Sequence, residues 1–378
     1  GGVSIFMLKK ILLWFQYCDW YLIINIFLLM IFGLATLYSL QINVDQPNFE
    51  VFNHQLILAA AGLGVFILIS SINFKVWADY YKIILFSGAL LLAAVLLFGA
   101  DIRGTTGWLV ILSQGFQPVE FVKIALVIFL ARLFSQSNYQ TNPLKGLLVS
   151  GSGAMLLIVL VLLQPDFGSA MLLFTAWLGM YFLLPIRKKT VWTMVIAGLV
   201  LATVFGLFFL KDYQKERLLT FVNPQADPLD SGYNVRQSVV AVGSGQLVGR
   251  GLGLGSQSQL NFLPEQQTDF IFAVIAEELG FVGAGLVLLL FFSLLVRVYS
   301  IGSLAKDNFA HFFCLGLVCL LTAQIFVNIG MNLGLAPVTG VPLPLISYGG
   351  SSLLSTLIFL GIIHNIQIRN KRSLFARI

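Results

Sequence analysis

Phe262-Leu263-Pro264-Glu265-Gln266-Gln267-Thr268-Asp269-Phe270-Ile271-Phe272 closes a long polar loop and opens an apolar run that continues to residue 296. Pro264 stops any helix that precedes it, and the Thr268 hydroxyl is suited to cap the helix that follows. The stretch therefore puts a carboxylate, Asp269, at the seam between water and hydrocarbon. Desolvation and the nearby helix N-terminus tune the ionisation of a group held there. Such a carboxylate suits proton abstraction from a substrate that approaches along a membrane surface. A helix-capping aspartate is the plainer alternative.

The rest of the chain repeats the apolar half of this pattern. Of its 378 residues 58% are hydrophobic and 10% charged, and the mean hydropathy is +0.92. A soluble domain carries roughly 25% charged residues, so lipid is the main solvent here. Runs long enough to cross about 30 Å of hydrocarbon lie near 21–40, 55–73, 82–100, 117–134, 145–163, 167–185, 191–210, 270–296, 308–332 and 350–366. The fold class is an all-α integral membrane protein. It has about ten transmembrane helices and one large extracellular loop, 211–268, between helices seven and eight. The run at 117–134 is the weakest, because Glu120 and Lys123 interrupt it.

Charge orients these spans. With both termini cytoplasmic, the inner segments hold fifteen of the twenty-two Lys and Arg residues, from Lys9 and Lys10 to Arg377, and the short outer loops hold only Arg103. Basic residues collect on the cytoplasmic side of membrane proteins. The chain thus divides into a cytoplasmic N-terminal segment (1–20), one polytopic membrane domain (21–368) and a basic cytoplasmic tail (369–378). The first span is expected to serve as an uncleaved anchor. The net charge of +6 reports this topology, and no stripe of basic and aromatic residues points to nucleic acid.

Other chemistries find little support. Cys18, Cys314 and Cys319 and the histidines His54, His311 and His364 are too scattered for a zinc or redox motif. The glycines at 243, 245, 249, 251, 253 and 255 match neither a Walker A loop nor a Rossmann turn. Close backbone packing at a membrane surface is their expected use. Charged residues inside spans need partners or a function. Glu120 and Lys123 are three apart and share a helix face, either as a self-neutralising pair or as part of a site. Asp166 follows Gln164-Pro165 at a tight external turn. Glu277 lies along one face with Asp269 and Ala273, extending a polar path or bonding a neighbouring helix. Pro337, Pro342 and Pro344 precede Ser347-Tyr348-Gly349-Gly350-Ser351-Ser352, which reads as irregular backbone lining a cavity.

Seven motifs in order then carry a resemblance. They are Gln117-Pro118-Val119-Glu120-Phe121-Val122-Lys123, Gln164-Pro165-Asp166-Phe167-Gly168-Ser169-Ala170, Gly232-Tyr233-Asn234 with Gln237-Ser238, Gly243-Ser244-Gly245, Leu263-Pro264-Glu265 with Thr268-Asp269-Phe270, Glu277-Glu278-Leu279-Gly280, and Ser347 to Ser352. From about residue 20 to 370 the chain resembles the SEDS family (shape, elongation, division and sporulation), which includes RodA and FtsW. The resemblance implies a peptidoglycan glycosyltransferase of a bacterial inner membrane that polymerises lipid II, an inverting hexosyltransferase, with Asp269 as the catalytic residue. It also implies contacts to substrate from Lys123, Glu120, Arg217, Glu265, Thr268, Asp166, Arg103 and Ser347. Lys123, Arg217, Arg103 or a divalent cation (Mg or Mn) would stabilise the leaving diphosphate; no cofactor is otherwise implied.

Two departures from the family pattern stand out. Gln267 replaces a frequent His before Thr268-Asp269, and Gly104-Thr105-Thr106-Gly107 stands where relatives often carry basic residues before Trp108. The implied partners are lipid II, membrane lipids and a class B penicillin-binding protein, because no external transpeptidase domain is evident. The short N-terminal segment leans towards a RodA-like elongation role over an FtsW-like division role. A lipid II flippase is the main alternative activity, since intramembrane charges also suit a headgroup path; a non-catalytic scaffold is the third reading.

Overall fold

The computed structural model describes residues 17–42, 48–102, 105–111, 114–185, 231–260 and 262–375. Helices dominate: α1 (Trp20–Ile42), α2 (Glu50–Ser71), α3 (Phe74–Asp79), α4 (Tyr81–Phe98), α5 (Val119–Phe134), α6 (Ser137–Thr141), α7 (Pro143–Leu163) and α8 (Phe167–Phe182) come first. Then follow α9 (Ser231–Ser244), α10 (Ser256–Gln259), α11 (Ile271–Ser303), α12 (Asn308–Asn332) and α13 (Gly350–Phe375). Seven of these are long and apolar enough to cross a membrane, and α8 is a shorter apolar helix. Every expected span except 191–210, which lies outside the described residues, coincides with a helix.

The helix bearing Glu120 and Lys123 turns out to be the centre of the bundle. Helix α5 packs against α4, α7, α8, α12 and α13, and nearly all its side chains are buried. Its two charges are tolerated because neighbouring helices, not lipid, surround them. Helix α4 stands at the other extreme, with 17% of its apolar window buried and the rest free to face lipid. Lipid supplies no hydrophobic drive for helix association, so close packing must come from small residues and polar bonds. Gly33 of α1 illustrates this: a Cβ there would collide with the Ile346 backbone.

Three features differ from the expectation of an all-helical chain with continuous spans. A small antiparallel sheet runs in the order β1 (Ala100–Ile102), β2 (Thr105–Ile111) and β3 (Gln114–Phe116). Trp108 pairs with Ala100, and Leu109 with Phe116. Helix α11 is broken at Gly280, where φ is 66° and ψ is −164°. Helix α13 runs on to Phe375, into the basic tail.

Residues 333–349 are irregular, as their prolines foretold, and the stretch 341–347 is deeply placed. Val341, Leu343, Leu345, Ile346 and Ser347 are all buried. Backbone groups at that depth need internal partners. Asn328 Nδ2 donates to the Val341 carbonyl at 2.8 Å and Gln324 Nε2 to that of Pro342 at 2.9 Å. The Leu343 N–H donates to Ser347 Oγ at 2.8 Å, and Gln55 holds both the Ser347 carbonyl (3.4 Å) and the Gly349 N–H (3.3 Å).

Candidate active site

Asp269 sits in a turn that is fixed from three sides. Glu265 adopts a left-handed φ of 51°, a conformation that costs a non-glycine residue energy. Its carbonyl thereby accepts the N–H groups of Thr268 (3.1 Å), Asp269 (3.1 Å) and Phe270 (3.3 Å). Helix α12 holds the Asp269 carbonyl through Asn328 Nδ2 (3.1 Å) and Asn332 Nδ2 (2.9 Å). The segment before α13 grips the turn's other end: Ser347 Oγ donates to the Thr268 carbonyl at 2.6 Å, and the Tyr348 N–H to that of Gln267 at 2.9 Å. The side chain of Asp269 is partly exposed.

Thr268 does not cap the helix as its position suggested. Its hydroxyl donates to the Glu265 carboxylate at 3.0 Å and to the Glu265 carbonyl at 3.3 Å. The cap position of α11 is Phe270, which makes no side-chain capping bond. The pair Thr268–Glu265 instead braces the turn that carries Asp269. Gln267 contributes through its backbone carbonyl.

A second polar cluster lies on α5. Lys123 Nζ is 2.7 Å from Glu120 Oε1 and 3.4 Å from Gln324 Oε1 of α12. Ser355 of α13 donates to the other Glu120 oxygen at 3.1 Å. Both charged side chains are about 3% exposed, so the pair is shared among three helices and is more than a self-neutralised couple. Gln117, at the head of α5, bridges outward: its N–H donates to Ser351 Oγ at 2.9 Å and its amide to Asp166 Oδ2 at 3.4 Å.

Asp166 is where its motif placed it, in the turn between α7 and α8, and it caps α8 by accepting the Ser169 N–H at 2.9 Å. Burial pushes its carboxyl above the usual carboxylate range, and the Glu120 charge adds to that. The Ser169 bonds and the Lys123 charge pull the other way.

These groups converge through the segment 339–341. A Cβ on Gly168, in the first turn of α8, would collide with the Thr339 carbonyl, and a Cβ on Gly340 would stand 3.8 Å from Asp269 Oδ2. On α12, Gln324 reaches Lys123 while Asn328 and Asn332 reach Asp269. The structure thus joins Asp269, Thr268, Glu265, Ser347, Lys123, Glu120 and Asp166 in one polar region. Arg103 and Arg217 lie outside the described residues.

The amides on α12 were not picked out from the sequence, although a signal was there. Gln324, Asn328 and Asn332 recur every four residues in an apolar run, which draws a polar line down one helix face.

Glu277 and Glu278 resolve differently from a polar path. The carboxylate of Glu277 accepts the N–H groups of Gln257 (2.8 Å) and Ser258 (3.1 Å), and that of Glu278 accepts the Gly253 N–H (3.0 Å) and the Ser39 hydroxyl (2.5 Å). They bind the glycine-rich segment and helix α1; of its glycines, Gly245 and Gly249 lie against the backbone of Ala276 and Glu278, where a Cβ would collide.

Among the described residues no group of three or more His, Cys, Asp or Glu side chains is arranged to hold a metal ion. Carboxylates such as Asp269, Glu265 and Asp166 suit a hard cation only if oxygens of a bound diphosphate complete its shell.

A family model for the cell cycle proteins FtsW, RodA and SpoVE matches residues 19–372. The peptidoglycan glycosyltransferase MrdB of Escherichia coli K12 is 38% identical over 320 residues, 82% of this chain and 84% of that protein. A solved structure described as the structural coordination of polymerization and crosslinking by a peptidoglycan synthase complex superposes with a TM-score of 0.81. It shares 28% identity, over 93% of this chain and 98% of the other. The crystal structure of the rod shape determining protein RodA from Thermus thermophilus gives a TM-score of 0.67 at 25% identity, over 93% and 96% of the two chains.

Proposed function

The chain belongs to the FtsW/RodA/SpoVE family, the SEDS proteins, and is a multi-pass membrane peptidoglycan glycosyltransferase; we propose that Asp269 is its general base. In this reading the substrate is lipid II and the site faces outward from a bacterial inner membrane. Asp269 takes the proton of the 4-hydroxyl of the acceptor GlcNAc. The freed oxygen pair attacks C1 of the donor MurNAc from the face opposite the leaving group. The bond from C1 to the diphosphate oxygen breaks, undecaprenyl diphosphate departs with the electron pair, and the anomeric centre inverts. A positioned base contributes roughly 10²–10⁴-fold to rate.

The observation that carries this reading is the clamping of the Asp269 turn. Asn328 and Asn332 on the Asp269 carbonyl, and Ser347 on that of Thr268, fix the backbone and leave the carboxylate partly exposed. A base held so does not need to reorganise at the moment of reaction. Glu265 and Thr268 orient it. The charge that develops on the departing diphosphate needs cationic stabilisation. Lys123, paired with Glu120, is one source; Arg217, Arg103 and a divalent cation carried in with the diphosphate are the others. Asp166 and Ser347 complete the substrate-binding set.

The charge asymmetry supports an orientation with both termini in the cytoplasm. Similarity to MrdB and to RodA supports a role in elongation. The expected partner is a class B penicillin-binding protein that crosslinks the strands. The test is glycan synthesis from purified lipid II by the wild type and Asp269→Asn, each with that partner carrying an inactive transpeptidase site. Polymer from the wild type alone supports the assignment, and polymer from both sinks it.

A further inference from the structure

Helix α11 is broken at Gly280, and its part beyond the break, 281–303, runs about 35 Å at 1.5 Å per residue, enough for one crossing of about 30 Å. Two ties to α1 mark where the hydrocarbon lies. At one end Arg297 pairs with Asp19, at 2.6 Å from Nη2 to Oδ2. At the other, Ser39 donates to Glu278 at 2.5 Å. Asp19 to Ser39 and Glu278 to Arg297 each measure about 30 Å along the helix. The polar ties therefore bracket one hydrocarbon thickness. The break at Gly280, next to the Glu278 tie, falls at the outer boundary.

The break releases backbone groups, and the segment 246–254 takes them up. The Arg250 N–H donates to the Glu277 carbonyl and the Gly251 N–H to that of Glu278, both at 3.0 Å. In return the Phe281 N–H donates to the Gln246 carbonyl at 2.8 Å and the Val282 N–H to that of Leu247 at 3.1 Å. A segment stitched to the helix at this level lies at the depth of the outer lipid headgroups. Its side chains are apolar and uncovered: Leu247, Val248, Leu252 and Leu254 are 68%, 81%, 51% and 63% exposed. They are continuous with Phe281 and Val282 on the outward face of the spanning helix, 73% and 64% exposed. Exposed apolar patches continuous with a lipid-facing helix belong in lipid.

We propose that the segment 246–254 is an interfacial membrane insertion that buries Leu247, Val248, Leu252 and Leu254 among the outer-leaflet acyl chains. Arg250, exposed on the same segment, donates to the Ser244 carbonyl and the Ser256 hydroxyl and in this placement lies at the phosphate level. The insertion anchors one flank of the catalytic loop to the leaflet from which a lipid-linked substrate arrives. It rests on the membrane orientation and is independent of the role of Asp269.

The full-length protein carrying Val248→Cys, labelled with an NBD fluorophore, is placed in nanodiscs of phosphatidylethanolamine and phosphatidylglycerol. Leu254→Cys is a second reporter, and Asn138→Cys on α6 a water-exposed control; retained lipid II polymerisation certifies the fold. The expected result is a blue-shifted emission at both reporters, several-fold stronger quenching by lipids with a shallow nitroxide than at the control, and weak quenching by aqueous iodide. Iodide quenching equal to the control, with no nitroxide effect, would overturn the insertion. Adding the partner penicillin-binding protein must leave the nitroxide quenching in place; its loss would assign this face to protein and overturn the proposal too.

Discussion

The side-chain amide of Asn332 spans the seam between the Asp269 turn and helix α11: Nδ2 donates to the Asp269 carbonyl at 2.9 Å, and Oδ1 accepts the Ala273 N–H at 3.0 Å. The side chain is fully buried, so removing it strands the Ala273 N–H and leaves the Asp269 carbonyl to Asn328 alone. A stranded buried donor costs about 1–3 kcal/mol. Asn332→Ala is expected to lower kcat for lipid II polymerisation by at least about tenfold, the equivalent of 1.4 kcal/mol, with a smaller change in KM. Asn332→Asp, which turns an uncompensated carboxylate oxygen on the Asp269 and Asn328 carbonyls, should fall at least as far. A variant that keeps full kcat would show that the turn holds itself.

The Glu120–Lys123 pair separates stability from function. Lys123→Met leaves a buried carboxylate uncompensated, a loss of about 3–5 kcal/mol, read as a fall in Tm. Combining it with Glu120→Gln removes the stranded charge and should restore most of the Tm. Polymerisation should stay low in the double variant if Lys123 helps stabilise the leaving diphosphate. Recovery of both together would make the pair purely structural.

Asp166 carries a pH signature. Its folded-state pKa is raised above the ordinary value of 3.8 by burial. A raised carboxyl binds its proton more readily when folded, so stability falls as pH rises from that ordinary value through the folded pKa. Asp166→Asn, which does not titrate, is therefore expected to flatten the fall of Tm with rising pH that begins near 3.8, while lowering polymerisation. An unchanged acid-side profile would contradict the burial argument.

The break in α11 depends on two glycines. Gly280 (φ 66°) and Gly249 (φ 84°) sit in left-handed conformations, and a Cβ on either would strike the opposing backbone. Gly249→Ala and Gly280→Ala should each cost more than about 1 kcal/mol and detach the segment 246–254, seen as faster proteolysis there. Equal proteolysis rates would mean that the segment is held by other contacts.

Much of this architecture was legible in the chain because lipid imposes one rule, a long apolar run per crossing, and every described span obeys it. Helix α5 read as the doubtful one because hydropathy counts Glu120 and Lys123 against it; only the packing of α12 and α13 around them shows why they are tolerated. The sheet at 100–116 was overlooked even though Thr105-Thr106-Gly107-Trp108-Leu109-Val110-Ile111 is rich in β-branched and aromatic residues. The break at Gly280 had no local mark, since its partners, Gln246 to Gly251, lie some thirty residues earlier in the chain. Asp269 stood out because a carboxylate between a proline-closed loop and an apolar run is conspicuous. The amides that hold it, Asn328 and Asn332, are marked in the sequence by their four-residue spacing with Gln324, but what they hold shows only in the structure.

Glycan synthesis from purified lipid II by Asp269→Asn, beside the wild type and with a transpeptidase-inactive partner bound to both, bears most directly on the central claim. Asparagine keeps the shape and loses the base. The account predicts polymer from the wild type and a loss of at least about 10²-fold in the variant, with Tm and partner binding unchanged. Wild-type rates from the variant would contradict it, and would move the search for the base to Glu265 and Asp166.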